Sequence, residues 1–113
     1  MRLKSEIWVH ALLRRCFVNG LFGAVVRKGA AEAGAIYVVI NHLDGRVKLL
    51  GPPPGPAIDE EGERLWAEVV PPVTQASEVT TFITRTAKFD PDFWVVEIED
   101  RGGTAGLSVL PPD

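Results

Sequence analysis

The run Ile36-Tyr37-Val38-Val39-Ile40 constrains the fold more than any other feature of this sequence. β-Branched and aromatic residues favour a strand. Because successive side chains of a strand point to opposite faces, an unbroken apolar run indicates that both faces are shielded from water. The run is therefore predicted to lie in the middle of a sheet that is covered on both sides.

A tight turn follows this strand. Asp44-Gly45 is a strong hairpin signal, and the segment from Arg46 to Leu50 returns with alternating charged and apolar residues. We therefore predict a β-hairpin over residues 35–50.

Two amphipathic helices flank the strands. The first is predicted over about 5–19, with Ser5 as its N-cap and Asn19-Gly20 as its end. The second is predicted to begin at Ser77 as N-cap and to end at Asp90-Pro91. Residues at three- and four-residue spacing form the predicted buried stripes: Trp8, Val9, Leu12, Leu13, Cys16 and Phe17 in the first helix, and Val79, Phe82, Ile83, Thr86 and Phe89 in the second.

Further strands are predicted over 23–27, 64–70 and 93–99, and 104–113 is either a weak edge strand or a tail. Residues 51–63 are predicted to form a proline-rich, acidic loop, because proline cannot donate a ladder hydrogen bond. The expected fold class is α+β, a single domain over 1–113 in the order α-β-β-β-β-α-β with a mostly antiparallel central sheet. We favour one helix on each face over two helices on one face with a partner subunit on the other.

Composition limits the class of protein. A chain of 113 residues with 46% apolar residues can bury a core without a disulfide, and its single cysteine, Cys16, is typical of a reducing compartment. The sequence lacks a signal-peptide pattern and any apolar run of membrane-spanning length, so a cytoplasmic protein without membrane partners is expected.

Two separated segments resemble a known family. Arg2-Leu3-Lys4-Ser5-Glu6-Ile7-Trp8-Val9 with Ala11-Leu12 and Arg14-Arg15, and later the stretch from Phe89 to Arg101, are similar to small alphaproteobacterial proteins of the DUF1491 type. The resemblance implies a cytoplasmic bacterial protein of about this length with no defined function. It implies no catalytic or binding residue.

A carboxylate cluster near the C-terminus is one candidate catalytic site. Asp92, Glu97 and Glu99 superficially resemble a metal-dependent hydrolase or nuclease motif, in which acids hold a cation that activates water. Only four residues separate Asp92 from Glu97, and Glu99 stands where such motifs usually have lysine. Catalysis by these residues is therefore the weaker interpretation, and no metal ligand set or cofactor is predicted.

Cys16, His10 and His42 are better explained by structural roles. On a helix, residues six apart project about 120° apart, so Cys16 and His10 are not expected to share a proton. His42 follows the central strand and is expected to be a hydrogen-bonded structural residue. Asn41, which is polar within an apolar strand, must find partners if it is buried.

Charge divides the chain into two halves. Residues 1–50 carry a net charge of +5 and residues 51–113 carry −8. A basic patch of Arg14, Arg15, Arg27 and Lys28 would suit nucleic acid. Against this alternative, the exposed aromatic residues that stack on bases are not expected, because Trp8, Phe17 and Tyr37 fall at core positions.

The sequence favours a non-catalytic binding or assembly module whose partner is itself or another protein. An exposed strand edge or the face around Trp66 is the expected contact, and the candidate interaction surface comprises Trp66, Arg14, Arg15, Arg27, Lys28, Asn41 and His42. A nucleic-acid-binding accessory protein and a metal-dependent hydrolase or nuclease remain the alternatives.

Overall fold

A computed structural model describes residues 4–111 and contains two helices and six strands. The helices are α1 (Ser5–Val18) and α2 (Ala76–Ala87). The strands are β1 (Gly23–Arg27), β2 (Ile36–Asn41), β3 (Val47–Gly51), β4 (Leu65–Glu68), β5 (Trp94–Glu99) and β6 (Ser108–Val109). The predicted α+β class and element order are confirmed. Of the two alternatives for 104–113, the structure shows a short edge strand at Ser108–Val109, and residues 112 and 113 lie outside the described part of the chain.

The strands form one sheet in the order β1-β5-β2-β3-β4-β6. β2 lies inside the sheet, parallel to β5 and antiparallel to β3. β1 pairs antiparallel with β5, and β3 with β4, whereas β4 and β6 are parallel. The sheet is thus mostly antiparallel, as predicted, with one parallel pair at its centre. Its two edges are β1 and the two-residue β6.

Each face of the sheet is covered by one helix. On one face, Val9, Leu12 and Cys16 of α1 pack with the β2 residues Ile36, Val38 and Ile40. On the other face, Val79, Phe82 and Ile83 of α2 pack against a cluster that contains Val39, Val47, Leu49, Phe93 and Val95. The prediction that β2 is shielded above and below is confirmed, and so is the preference for one helix per face.

The predicted hairpin over 35–50 is also confirmed. Val38 pairs with Leu50 and Asn41 pairs with Val47. Gly45 adopts a φ of 89°, which a glycine tolerates without steric cost. A carboxylate oxygen of Asp44 accepts the Arg46 N–H at 3.0 Å, which closes the turn.

Both predicted helix caps are wrong, by one position in α1 and by two in α2, whose N-cap is Gln75. α1 begins at Ser5 with Lys4 as its N-cap, and the buried Ser5 hydroxyl donates to the carbonyl of Gly34 at 2.7 Å. α2 begins at Ala76, before Ser77, and Glu78 accepts the Gln75 N–H at 2.9 Å. In the first case a tertiary hydrogen bond takes the place of a local cap.

The ends of both predicted apolar stripes are wrong. Phe17 is 82% exposed and Phe89 is 89% exposed, although each continues the helical period of its stripe. Phe17 is in the last turn of α1, and Phe89 lies just beyond the end of α2. The helical period thus continues past the point where the rest of the protein covers the stripe.

Residues 52–63 form an irregular connection, as the prolines predicted, whereas Gly51, the first residue of the predicted loop, still belongs to β3 and pairs with Ala67. Ile58 and Arg64 form an isolated bridge, and an Asp59 carboxylate oxygen accepts the N–H groups of Glu61 and Glu63 at 3.0 and 2.8 Å. Asp59 therefore organises the acidic part of the loop into a turn.

Candidate interaction surface

The three candidate catalytic carboxylates do not converge. Asp92 precedes β5 and Glu99 ends it, and the six residues of β5 span about 16 Å. The Asp92 N–H donates to Asp90 at 2.8 Å, and its carbonyl accepts the Ala30 N–H at 2.9 Å. Within residues 4–111, no group of three or more His, Cys, Asp or Glu side chains could hold a metal ion. Asp92 and Glu99 therefore lie too far apart to hold one cation together.

Glu97 and Asn41 are hydrogen-bonded to each other on the α2 face of the sheet. The Asn41 side-chain NH₂ donates to a Glu97 carboxylate oxygen at 3.3 Å, and the side-chain oxygen Oδ1 of Asn41 accepts the Leu43 N–H at 2.8 Å. Leu43 follows the strand with a φ of 64°. Asn41 therefore ends β2 and supports the unusual backbone conformation of Leu43.

His42 and Asp100 fasten the ends of β2 and β5. The His42 Nδ1 atom lies 2.9 Å from the carbonyl oxygen of Asp100, so this nitrogen must carry a proton. The Asp100 carboxylate accepts the N–H groups of Gly103 and Ala105 at 3.1 and 3.0 Å. These bonds fix the turn that leads to β6.

Cys16 is a buried core thiol. It packs with Val9 and Leu12 under the sheet, whereas His10, which projects in another direction from α1, is exposed. Burial raises the pKa of the Cys16 thiol above its ordinary value, and the Arg15 cation opposes this with a smaller effect. A protonated, buried thiol is a poor nucleophile, in agreement with the predicted absence of a Cys–His pair.

Trp66 cannot belong to an interaction surface by itself. It is 1% exposed and lies against Trp8, with ring centroids 5.2 Å apart. The prediction of a contact face around Trp66 is therefore corrected: the indole fills the core on the α1 side of the sheet. The Trp66 side chain points to the α1 face of the sheet, and β6 pairs with β4 along its outer edge, so Trp66 does not lie at an open edge.

The four basic candidates are divided between two places. Arg14 and Arg15 are exposed on the last turns of α1. Arg27 lies at the far end of β1 on the α2 side of the sheet, 4.3 Å above the Phe93 ring, and donates to the Pro91 carbonyl at 2.9 Å. Lys28 follows it. The predicted basic patch therefore separates into a pair on α1 and a pair at the end of β1.

An apolar surface that the sequence did not indicate lies between these basic pairs. Phe17, Val18 and Phe22 are strongly exposed, Val25 and Val26 on β1 are exposed as well, and β1 is an open edge of the sheet. We call these five residues the β1 patch. The residues of β1 carry no local signal for it, because the exposure of a strand depends on its place at the edge of the sheet and not on its own sequence.

No helix between residues 4 and 111 combines the length and the apolar character that crossing a membrane requires.

Comparisons with known proteins agree on one family. The model of the "Protein of unknown function (DUF1491)" family matches residues 3–108. Two solved structures are similar along almost the whole chain. A crystal structure of a DUF1491 protein from Caulobacter crescentus has 38% identity and a TM-score of 0.77, and covers 96% of this chain and 100% of its own. The solution structure of Atu0922 from A. tumefaciens has 44% identity and a TM-score of 0.76, and both chains are covered completely.

No curated protein matches this chain. The family assignment confirms the resemblance of the two separated segments, and it adds no residue role to those that the geometry gives. The chain belongs to the DUF1491 family of proteins of unknown function.

Proposed function

We propose that this protein is a non-catalytic assembly module that pairs with a second copy of itself through the open edge of β1. The observation that carries the proposal is the β1 patch, since a ten-residue stretch exposes two phenylalanines and three valines beside an unpaired strand edge. Clustered exposed apolar residues of this kind mark interaction sites in folded proteins.

The backbone of β1 is suited to pairing. The Phe22 carbonyl accepts the Glu99 N–H at 2.9 Å, so Phe22 and Glu99 form a hydrogen-bonded pair of the antiparallel ladder. Such pairs alternate with non-bonded ones, and Ala24, opposite Glu97, is the next bonded residue. The N–H and C=O groups of Gly23 and Val25 therefore point away from β5, toward the open edge.

A second copy provides a matching partner. Antiparallel pairing centred on Ala24 places Gly23 of each copy opposite Val25 of the other, and the outward groups of both residues then meet. The same register brings Phe22 alongside Val26 of the second copy, and an aromatic residue beside a β-branched one is a favourable cross-strand pair. No like charges come face to face within the paired segment, because Gly23, Ala24 and Val25 are uncharged.

The bulge in β1 sets the extent of this ladder. The register with β5 shifts between Val25 and Arg27, so regular pairing is confined to Gly23–Val25. Bulges of this kind limit edge pairing. Side chains must therefore supply most of the buried area, for which Phe17 and Val18 at the end of α1 are available. α1 lies over β1, since Leu13 is adjacent to Gly23, and the two-fold operation places both copies of α1 on the same sheet face.

Sedimentation equilibrium over a concentration series tests the proposal. We expect a dimer that dissociates at least about 30-fold more easily in Val25→Pro, because the substitution removes one outward N–H from each copy. Phe22→Asp should act in the same direction. The matched control is Phe89→Asp, which changes a still more exposed phenylalanine away from β1 and should leave the equilibrium unchanged.

Two results would contradict the proposal. One is a wild-type protein that stays monomeric at the highest concentration, and the other is Val25→Pro dimerising as the wild type does. Far-UV circular dichroism of each variant separates loss of pairing from loss of fold.

Single-stranded nucleic acid is a second candidate partner, and one observation favours it. Phe17 is exposed beside Arg14 and Arg15, so the expectation that this aromatic residue lies in the core is wrong. A base can stack on an exposed aromatic ring while cations contact its phosphates.

Fluorescence anisotropy with a labelled single-stranded oligonucleotide tests this second candidate. If it holds, binding weakens with salt, Arg14→Gln lowers the slope of log K against log salt by about 1, and Phe17→Ala weakens binding at all salt concentrations. Lys48→Gln, on β3, is the charge-matched control. Absence of binding at about 50 mM salt rejects the candidate.

A further inference from the structure

We propose that the groove between α2 and residues 69–73 binds a small linear amphipathic carboxylate, with its alkyl chain along the apolar walls and its carboxylate at Arg85. The groove has a volume of about 570 Å³, within the usual range for small-molecule sites. It lies on the α2 side of the protein and shares no residue with the β1 patch, so this proposal is independent of self-association.

The walls of the groove are apolar and preformed. One wall is the segment 69–73, in which Pro71 and Pro72 carry no N–H group to be left unpaired by an apolar ligand. The other wall is one face of α2, whose Phe82 ring packs edge-on against Tyr37 with centroids 5.2 Å apart. Phe82 is thus held in place before any ligand arrives.

Large apolar side chains stand at the rim. Val70 is 92% exposed and Phe89 is 89% exposed, and both line the groove. An alkyl chain lying between them would remove apolar surface from water on both sides, which is the main source of affinity for such a ligand.

The charges of the groove favour an anion at one end. Two charged side chains line it, Glu78 and Arg85. Glu78 already accepts the N–H groups of Thr74 and Gln75 at 3.2 and 2.9 Å. The Arg85 guanidinium, about 10 Å further along the helix axis, makes no ion pair or hydrogen bond within residues 4–111.

The negative end of the α2 dipole does not cancel this preference. The carbonyls of Arg85 and Thr86 accept N–H groups from Lys88, Phe89 and Asp90 at 3.0 to 3.2 Å, so they are already paired. Arginine donates to a carboxylate through two parallel N–H groups, which suits the head group proposed here.

A titration followed by ¹H–¹⁵N NMR tests the site, with hexanoate, octanoate and decanoate below their micellar concentrations. We expect shifts confined to the groove and an affinity that rises by up to about fourfold for each added methylene. Arg85→Gln should weaken octanoate binding about tenfold, whereas Lys88→Gln, a neighbouring cation outside the groove, should change it less than twofold. Thr81→Trp, which fills the groove from an exposed position, should abolish binding.

Several outcomes overturn the proposal. These are an affinity that does not depend on chain length, a loss of octanoate affinity in Lys88→Gln as large as that in Arg85→Gln, and chemical-shift changes spread over the whole surface. Octyltrimethylammonium binding as tightly as octanoate would also overturn it, because the head-group charge would then not matter. A dipeptide such as acetyl-Leu-Val binding at least tenfold tighter than octanoate assigns the groove to a peptide terminus instead. Retention of octanoate binding by Val25→Pro separates this site from the β1 edge.

Discussion

Replacing Gly34 by alanine is expected to lower the free energy of unfolding by at least about 3 kcal/mol. The added methyl group would overlap the Asp92 carbonyl oxygen and would lie 3.1 Å from the backbone N and O atoms of Ala30. These are backbone atoms that cannot rotate away, and the Asp92 carbonyl is held by the Ala30 N–H at 2.9 Å. Relief therefore requires the 28–35 segment to leave β5.

Urea denaturation followed by far-UV circular dichroism measures this effect. Gly29→Ala should behave in the same way, since its methyl group would meet the same Asp92 oxygen and the Trp94 ring. Gly102→Ala is the matched control: nothing lies within 4 Å of its added carbon, and its φ is not positive, so the change in stability should stay within about 1 kcal/mol. Gly34→Ala unfolding as easily as Gly102→Ala would contradict the close approach.

This close approach gives Asp92 a role that the sequence does not reveal. The Asp92 carbonyl lies close to Gly29 and Gly34, and its N–H donates to Asp90, so Asp92 contributes to the fold through its backbone groups. The predicted catalytic role relied on the carboxylate, which the structure leaves exposed and apart from Glu97. A contact between a backbone oxygen and a glycine across 58 residues of chain has no local signature.

Local patterns predicted most of the elements. Helices and strands follow from side-chain periods of 3.6 and 2, which are properties of neighbouring residues, and the hairpin follows from Asp44-Gly45. Their positions in the sheet could not be predicted in the same way. β1 pairs with β5 and β5 pairs with β2, and both pairings join segments far apart in sequence. The parallel β2–β5 pair was for this reason not foreseen.

Exposure was predicted less well than secondary structure, and this affected the candidate surface directly. Phe17 and Trp66 were assigned opposite to their observed environments. Helical period predicts which side Phe17 faces but not that the sheet stops short of it. Alternation in β4 does not reveal that Trp8 of α1 packs against Trp66. Both errors concern where one element ends relative to another, which depends on tertiary packing.

Trp94→Ala is expected to lower the free energy of unfolding by about 3–5 kcal/mol, the second large effect. Trp94 is buried in the cluster under α1, so truncation leaves a cavity between β5 and the helix. Its indole N–H also donates to the Ala30 carbonyl at 2.8 Å, and its backbone N–H donates to Ala35 at 2.7 Å. The Trp94 ring thus holds in place the same 28–35 segment whose close approach to β5 requires a glycine at position 34.

Phenylalanine substitutions separate packing from hydrogen bonding. Trp94→Phe keeps much of the ring but leaves the Ala30 carbonyl without this donor, which adds about 1–3 kcal/mol to the cost of the lost volume. Trp66 is equally buried, yet its indole nitrogen has no hydrogen-bond partner within residues 4–111, so Trp66→Phe loses volume alone. Denaturation monitored at the peptide bands should show Trp94→Phe as the less stable variant. Equal stability of the two would mean that the Ala30 bond contributes nothing, and the 28–35 segment would then be held by backbone contacts only.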